Sequence, residues 1–249
     1  MPMAELTQNG VPFYHQLKEI FSEKIENGEW RPGETIPPEN QLCEMFNVSR
    51  GPVRQALDIL VRDGLLSRKQ GKGTIVLPPK IERGLGTFYS FTTLIEQKGM
   101  NASTQMLSFE TVTAQGSVAR YLEIPPEEPL FKVRRLRLAN GEPLILEVIY
   151  IPASICDSLT AEKMLTTPLY TILSTCYGIV LTRAKQFFEP VVTDEYESQK
   201  LGISNGAPAL LIQNITYRSD NRPVVLSKAI MRGDRVRYYV ELSAQINVP

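Results

Sequence analysis

The chain has 249 residues, 43% of them apolar, with 27 Lys and Arg against 27 Asp and Glu. That length holds one large domain or two small ones with ample core, and the composition excludes a disordered chain. A formal net charge of zero excludes capture of nucleic acid or membrane by an overall field, so any polyanion site is a local patch.

Phe13, Leu17, Ile20, Phe21, Lys24 and Ile25 fall at helical spacing, and Asn27-Gly28 supplies a stop. Residues 39–46 form a second, short helix after Pro37-Pro38. Ser49 is a good N-cap for a third, which runs to about Asp63 and ends at Gly64. Only Asn47-Val48 separates the second and third helices, a tight turn. Residues 65–68 and 74–77 read as a β-hairpin around the basic tip Lys69-Gln70-Gly71-Lys72-Gly73. Three helices, a tight second turn and a hairpin make a winged helix-turn-helix over residues 1–77. Residues 1–49 hold three cations and eight acids, whereas residues 50–80 hold seven cations against Asp58 and Asp63. The positive charge thus sits on the third helix and the wing, where counterion release supplies affinity for DNA.

Pro78-Pro79 opens an expected linker over residues 78–87, and residues 88–249 form a second domain of short strands alternating with short helices. An internal repeat appears there. Phe109-Glu110-Thr111-Val112 recurs as Phe188-Glu189-Pro190-Val191, Leu122-Glu123-Ile124 as Leu201-Gly202-Ile203, Pro129 as Pro208 and Leu136 as Ile215, all at an offset of 79. After the turns at Asn140-Gly141 and Asp220-Asn221 the offset grows by one, pairing Pro143 with Pro223. Each copy reads strand, helix, strand, turn, strand. Two such halves sharing a sheet leave a cleft at their junction, a natural ligand site.

Cys43, Cys156 and Cys176 form no CxxC pair and read as reduced thiols of an intracellular protein, with no zinc site of the usual kinds. His15 is the sole imidazole, has no catalytic partner motif, and reads as a helix-surface residue. Nothing in the motifs calls for a cofactor or a metal. The polar start and the lack of any long apolar run predict a soluble, cytoplasmic protein that does not enter the membrane.

The segment Val48-Ser49-Arg50-Gly51-Pro52-Val53-Arg54-Gln55-Ala56-Leu57 is followed by Leu60, Asp63-Gly64-Leu65-Leu66 and Gly71-Lys72-Gly73-Thr74. This pattern, with the preceding Gly33-Glu34-Thr35-Ile36-Pro37-Pro38-Glu39, resembles the DNA-binding domain of GntR-family bacterial transcription regulators. The remainder resembles the UTRA effector domain of that family's HutC-type branch. Its cues include Arg135-Leu136-Arg137, Arg183-Ala184-Lys185-Gln186, Gly206-Ala207-Pro208 and Arg232-Gly233-Asp234-Arg235. The fold class implied is α+β: an N-terminal winged helix-turn-helix and a C-terminal mixed α/β domain, its mixed sheet resembling chorismate lyase. The resemblance also implies a homodimer on a palindromic double-stranded DNA operator, whose DNA affinity changes when a small-molecule effector binds.

Arg50 and Arg54 share one face of the third helix, and the resemblance makes both DNA-contacting. Pairing of Arg54 with Asp58 is the competing reading. Ser49 caps that helix and is placed to donate to a phosphate. Gly71 and Lys72 form the wing tip, where glycine lets backbone approach a minor groove. Pro38 and Pro52 stand where relatives often carry Ser and Thr.

Arg135 and Arg137 alternate on one strand and share a face suited to phosphate or carboxylate, solvated charges or dimer salt bridges being the alternative. The resemblance adds Glu147, Tyr170 and the loop Tyr89-Ser90-Phe91-Thr92, where amides opening a helix at about 92–99 can cradle an anion. A two-residue turn at Asn140-Gly141 pairs Arg134 with Glu147, on the wrong face; a three-residue loop over 140–142 sets Glu147 opposite Arg135, as the ligand reading requires. Val225, Met231 and Pro168 depart from relatives that sense amino-sugar phosphates. A phosphorylated sugar remains the leading effector class. The reading is a transcription regulator, a repressor released by its effector, and not an enzyme. A constitutive DNA-binding dimer without effector, or a lyase-like enzyme, stands as the alternative.

Overall fold

The computed structural model describes residues 6–8, 10–85 and 91–242. The chain divides into two units, Met1–Ile81 with Gly233–Arg237, and Glu82–Arg232 with Tyr238–Pro249.

In the first unit, helices α1 (Phe13–Glu26), α2 (Glu39–Phe46) and α3 (Arg50–Arg62) precede a hairpin of β1 (Leu66–Lys69) and β2 (Gly73–Val76). Leu17 and Phe21 of α1 meet Leu42 of α2 and Val53, Leu57 and Leu60 of α3 in one buried core. Each such side chain contributes roughly 1.5–3 kcal/mol on burial. Asn47 closes α2 in the left-handed region (φ 50), and the Val48 N–H returns to the Cys43 carbonyl (3.1 Å), which makes the tight turn. Residues 34–36 run along β2: Ile36 N–H donates to the Thr74 carbonyl and Val76 N–H to the Glu34 carbonyl, both at 2.9 Å. The wing is therefore anchored on both sides.

Gly64 ends α3 at φ +77, and a Cβ there would lie 2.0 Å from the Asp234 carbonyl oxygen. Only glycine admits that approach of two backbones. The segment Gly233–Arg237 is further stitched in by Lys80 Nζ donating to the Gly233 carbonyl (2.8 Å) and Arg235 Nη1 donating to the Pro78 carbonyl (3.2 Å).

Residues 78–87, expected as a linker, contain strand β3 (Ile81–Gly84). The second unit continues through α4 (Phe91–Gln97), β4 (Ala102–Thr113), α5 (Gly116–Leu122), β5 (Pro129–Ala139) and β6 (Glu142–Pro152). Helices α6 (Ala161–Thr166) and α7 (Leu169–Tyr177) follow, then β7 (Leu181–Val192), α8 (Glu195–Leu201), β8 (Pro208–Arg218) and β9 (Pro223–Arg232). A last strand, β10 (Val236–Tyr239), pairs with β3 as a two-stranded ribbon.

The six-stranded sheet has the order β4-β5-β6-β9-β8-β7. The resemblance implied a mixed sheet, but every neighbouring pair is antiparallel. Short turns explain this for β5–β6 and β8–β9, because parallel neighbours need long crossovers. β4, α5 and β5 recur as β7, α8 and β8 with identical lengths at an offset of 79. The offset also takes Phe91 to Tyr170 and Gly99 to Gly178, so α4 and α7 belong to the repeat. The halves meet at β6 and β9, and each lends a helix to the other: α5 packs over β9 and α8 over β6. One sheet face is covered by α5 and α8. The other carries the core of Val133, Ile149, Ile172 and Leu173 under α7, and beside that core the sheet's buried polar residues.

Candidate functional site

In the first unit, Arg50 opens α3 and Arg54 follows one turn later, both exposed on one face. Ser49 holds the N-cap position in extended conformation, but its hydroxyl makes no cap hydrogen bond. The expected cap is thus absent, and the hydroxyl stays available to other acceptors. Arg54 does not pair with Asp58. Its Nη2 lies 3.3 Å from Glu39 Oε2, while Asp58 pairs with Arg68 of the wing. These pairs are solvent-exposed and worth about 0–1 kcal/mol each, so a phosphate or a guanine edge can replace them. Gly71 and Lys72 occupy the exposed tip between β1 and β2, with no atom near the position a Gly71 Cβ would take. Ser49, Arg50, Arg54, Gly71 and Lys72 thus all stand at the surface of the helix-and-wing unit.

In the second unit, one face of the sheet opens into a cavity of about 310 Å³. Arg135, Arg137, Glu147, Tyr170 and Phe91, all read from the sequence, line it. Thr92 stands behind Arg137, accepting from its Nη2 at 2.7 Å. Tyr89 and Ser90 lie outside the described residues, and α4 begins at Phe91 rather than at about Thr92.

Arg135 faces Glu147, with Nε donating to Oε2 at 2.8 Å. The expected three-residue loop is not what aligns them. Asn140-Gly141 is a two-residue turn, with Ala139 opposite Glu142, and the register then shifts between Leu138 and Arg137 because Leu144 is an extra residue on β6. Pro143, which has no N–H for the ladder, precedes the bulge. This one-residue bulge moves Glu147 from the face of Arg134 to that of Arg135.

Both guanidiniums are buried, Arg135 6% and Arg137 5% exposed. Arg137 also stacks on Phe91, 4.8 Å from the ring centroid. Among the described residues, Arg135 Nη1 and Arg137 Nε have no hydrogen-bond partner. Burial, reinforced by the neighbouring Arg135, pushes the Arg137 guanidinium down to about 10. For Glu147 burial favours the neutral acid, yet Arg135 and Arg137 outweigh it and hold the carboxyl below its ordinary value. Burial likewise pushes the Tyr170 and Tyr238 hydroxyls up, keeping them protonated donors. Among the described residues, the lining carries Arg83, Arg135 and Arg137 against the carboxylate of Glu147. Two donors without a partner among the described residues and a formal charge of +2 give the lining the chemistry to hold an anion.

Sequence reasoning missed Arg83, Tyr238, Asn214, Ser227 and Gln186, which also line the cavity. Arg83 and Tyr238 stand on β3 and β10, where the guanidinium lies 5.5 Å from the tyrosine ring centroid. Nothing local in the sequence announces that pairing. Asn214 and Ser227 had a signal: the repeat maps Arg135 onto Asn214 and, past the turn, Glu147 onto Ser227.

Residues 13–76 match bacterial regulatory proteins of the gntR family, and residues 97–237 match the UTRA domain. The HTH-type transcriptional repressor NagR of Bacillus subtilis is 34% identical over 231 residues, 93% of this chain and 95% of that protein. The mannosyl-D-glycerate transport/metabolism system repressor MngR of Escherichia coli is 29% identical over 227 residues, 91% and 94% of the two chains. The crystal structure of PhnF from Mycobacterium smegmatis aligns with a TM-score of 0.62 at 26% identity, covering 94% of this chain and 100% of that one.

Proposed function

Because the chain belongs to the GntR family of bacterial transcription regulators and carries a UTRA effector domain, we propose that it is a homodimeric repressor released from a palindromic operator by a small anionic metabolite, with a phosphorylated sugar as the leading class. The coarse part, a DNA-binding transcriptional repressor with an effector domain and not an enzyme, follows from the family and from relatives that are themselves repressors. The observation that carries the anionic effector is the cavity charge. A phosphate monoester bears about −1.5 to −2 at neutral pH, which balances the excess of two guanidiniums over Glu147. A relative named for mannosyl-D-glycerate metabolism supports a sugar-derived effector. Among the described residues no helix is long and apolar enough to cross a membrane, in keeping with a cytoplasmic site of action.

In this reading Arg50 and Arg54 read base edges, and Ser49, Gly71 and Lys72 fix the backbone of the duplex. The test begins with selection of the operator from a pool of random duplexes. Arg54→Ala is expected to weaken binding to the selected site by about 10–100-fold, in line with the roughly 1–3 kcal/mol of one bidentate contact, while its melting temperature stays unchanged. Unchanged affinity would remove Arg54 from the interface. A thermal-shift screen against sugar phosphates, phosphonates and organic acids tests the effector half: a ligand of the folded state raises the melting temperature, and the same compound is expected to release the operator. A protein that no anion stabilises or releases has a neutral effector or binds DNA constitutively.

A further inference from the structure

The two halves of the repeat present different chemistry to the cavity at the same backbone positions. Arg135, Arg137 and Glu147 in the first half become Asn214, Thr216 and Ser227 in the second. The registers correspond as well. Arg135 faces Glu147 across β5 and β6, and Asn214 faces Ser227 across β8 and β9. Arg137 faces Ile145, and Thr216 faces Val225. Even the bulge recurs, with the shift between Thr216 and Tyr217 leaving Val224 extra behind Pro223. The helix partners correspond too: Arg137 stacks on Phe91, and Thr216 meets the hydroxyl of Tyr170 at 3.1 Å.

The second trio is uncharged, buried and incompletely bonded. Asn214 is 7% exposed, and its Nδ2 donates to Thr216 Oγ1 (2.9 Å) and to Tyr170 Oη (3.3 Å). Among the described residues its Oδ1 has no partner. A buried carbonyl oxygen left without a donor costs about 1–3 kcal/mol, so its retention beside a cavity needs a reason. Gln186 on β7 and Ser227 on β9 flank Asn214 in one row across three strands, and all three line the cavity.

Resting on the reading that the cavity holds an anionic effector, we propose that Asn214, flanked by Gln186 and Ser227, forms a hydroxyl-binding half-site opposite the arginines, so that the effector is two-ended: an anion at one end and a chain of hydroxyls at the other. Asn214 Oδ1 takes a hydroxyl hydrogen from the ligand, while Arg135 and Arg137 hold the charged group. The site therefore discriminates polyhydroxylated anions from alkyl anions of equal length. A site built to bond hydroxyls rejects an analogue that lacks them far more strongly than an apolar pocket rejects an added one.

The experiment compares four probes by isothermal calorimetry on the full chain, sorbitol 6-phosphate against hexyl phosphate and gluconate against hexanoate, with inorganic phosphate as a fifth. In wild type the polyol member of at least one pair is expected to bind at least about tenfold tighter than its alkyl twin. Asn214→Leu, of similar volume, is expected to bring that ratio close to one and Ser227→Ala to lower it, with binding of the alkyl anion still measurable in both. Retained anion binding shows that the variants are folded. Equal affinities within both pairs in wild type, or a ratio unmoved by Asn214→Leu, overturns the half-site and leaves the anion receptor standing. If no probe binds, the anion receptor itself fails, and the half-site falls with it.

Discussion

At Arg135 and at Asn214 the backbone does the same thing. Each residue sits mid-strand, faces a partner on the next strand and lies short of a one-residue bulge that follows a proline. One half of the sheet nonetheless buries an ion pair and the other a neutral amide. The comparison teaches that this scaffold supplies positions, whereas the polarity of the cavity is decided side chain by side chain at three of them. It also separates costs. The charged half depends on a counter-charge for its stability, and the neutral half only on hydrogen-bond partners.

The strongest way to break the symmetry of cost is Arg135→Ala. It leaves Glu147, largely buried, without its close partner, which is expected to lower stability by about 3–5 kcal/mol and to abolish the thermal shift caused by anions. Asn214→Ala removes no charge and is expected to cost clearly less. Equal losses in urea denaturation would show that the ion pair is not what holds the charged half. The same pair has an acid signature. Its native carboxyl lies below the ordinary value, so its contribution is complete above the unfolded pKa of about 4.3 and fades as the pH falls through the native one. Glu147→Gln is expected to remove that part of the acid destabilisation, read as a flatter stability profile between pH 5 and 3.

Arg137 sharpens the comparison from the other side. Burial and Arg135 depress its guanidinium to about 10, so the charged form at neutral pH works against folding of the free protein. Arg137→Met is expected to leave the free protein as stable or up to about 1 kcal/mol more stable, with the phosphate-induced shift in melting temperature lost. A clear fall in stability of the unliganded variant would contradict this account.

The smallest effect lies at the helix ends. α5 closes on Glu123 at φ 52, where its counterpart α8 closes on Gly202 at φ 67. A side chain in the left-handed region is strained, and glycine is not. Glu123→Gly is expected to add up to about 1 kcal/mol, seen as a higher urea midpoint with an unchanged slope; a loss would show that Glu123 is held by contacts that outweigh the strain.

The first unit was legible in the sequence because its signals are local. Asn47 and Gly64 end helices by backbone conformation, and Phe13 to Ile25 mark one helix face. The repeat was legible for the same reason, since prolines and turns fall at fixed offsets. The alignment of Arg135 with Glu147 was legible as a requirement, but its cause was not: a bulge at Leu144 does the work assigned to a longer loop. The empty cap at Ser49 and the pairing of Arg54 with Glu39 depend on neighbours fixed only by packing. Asn214 went unread although the repeat maps it onto Arg135, because a neutral residue within a strand draws no notice by its composition, and Arg83 and Tyr238 because β3 and β10 meet across some 150 residues of intervening chain.

The five residues Gly233–Arg237, which lie late in the chain yet belong to the first unit, bear on how such proteins can be recombined. A chimera spliced at residue 77 to borrow another sensor would inherit that sensor's own version of this segment. An altered backbone path at Asp234 would then press on Gly64 at the end of α3, and the anchors at Pro78 and Lys80 would meet foreign partners. A working graft has two seams rather than one, with the segment travelling alongside the N-terminal unit to which it belongs.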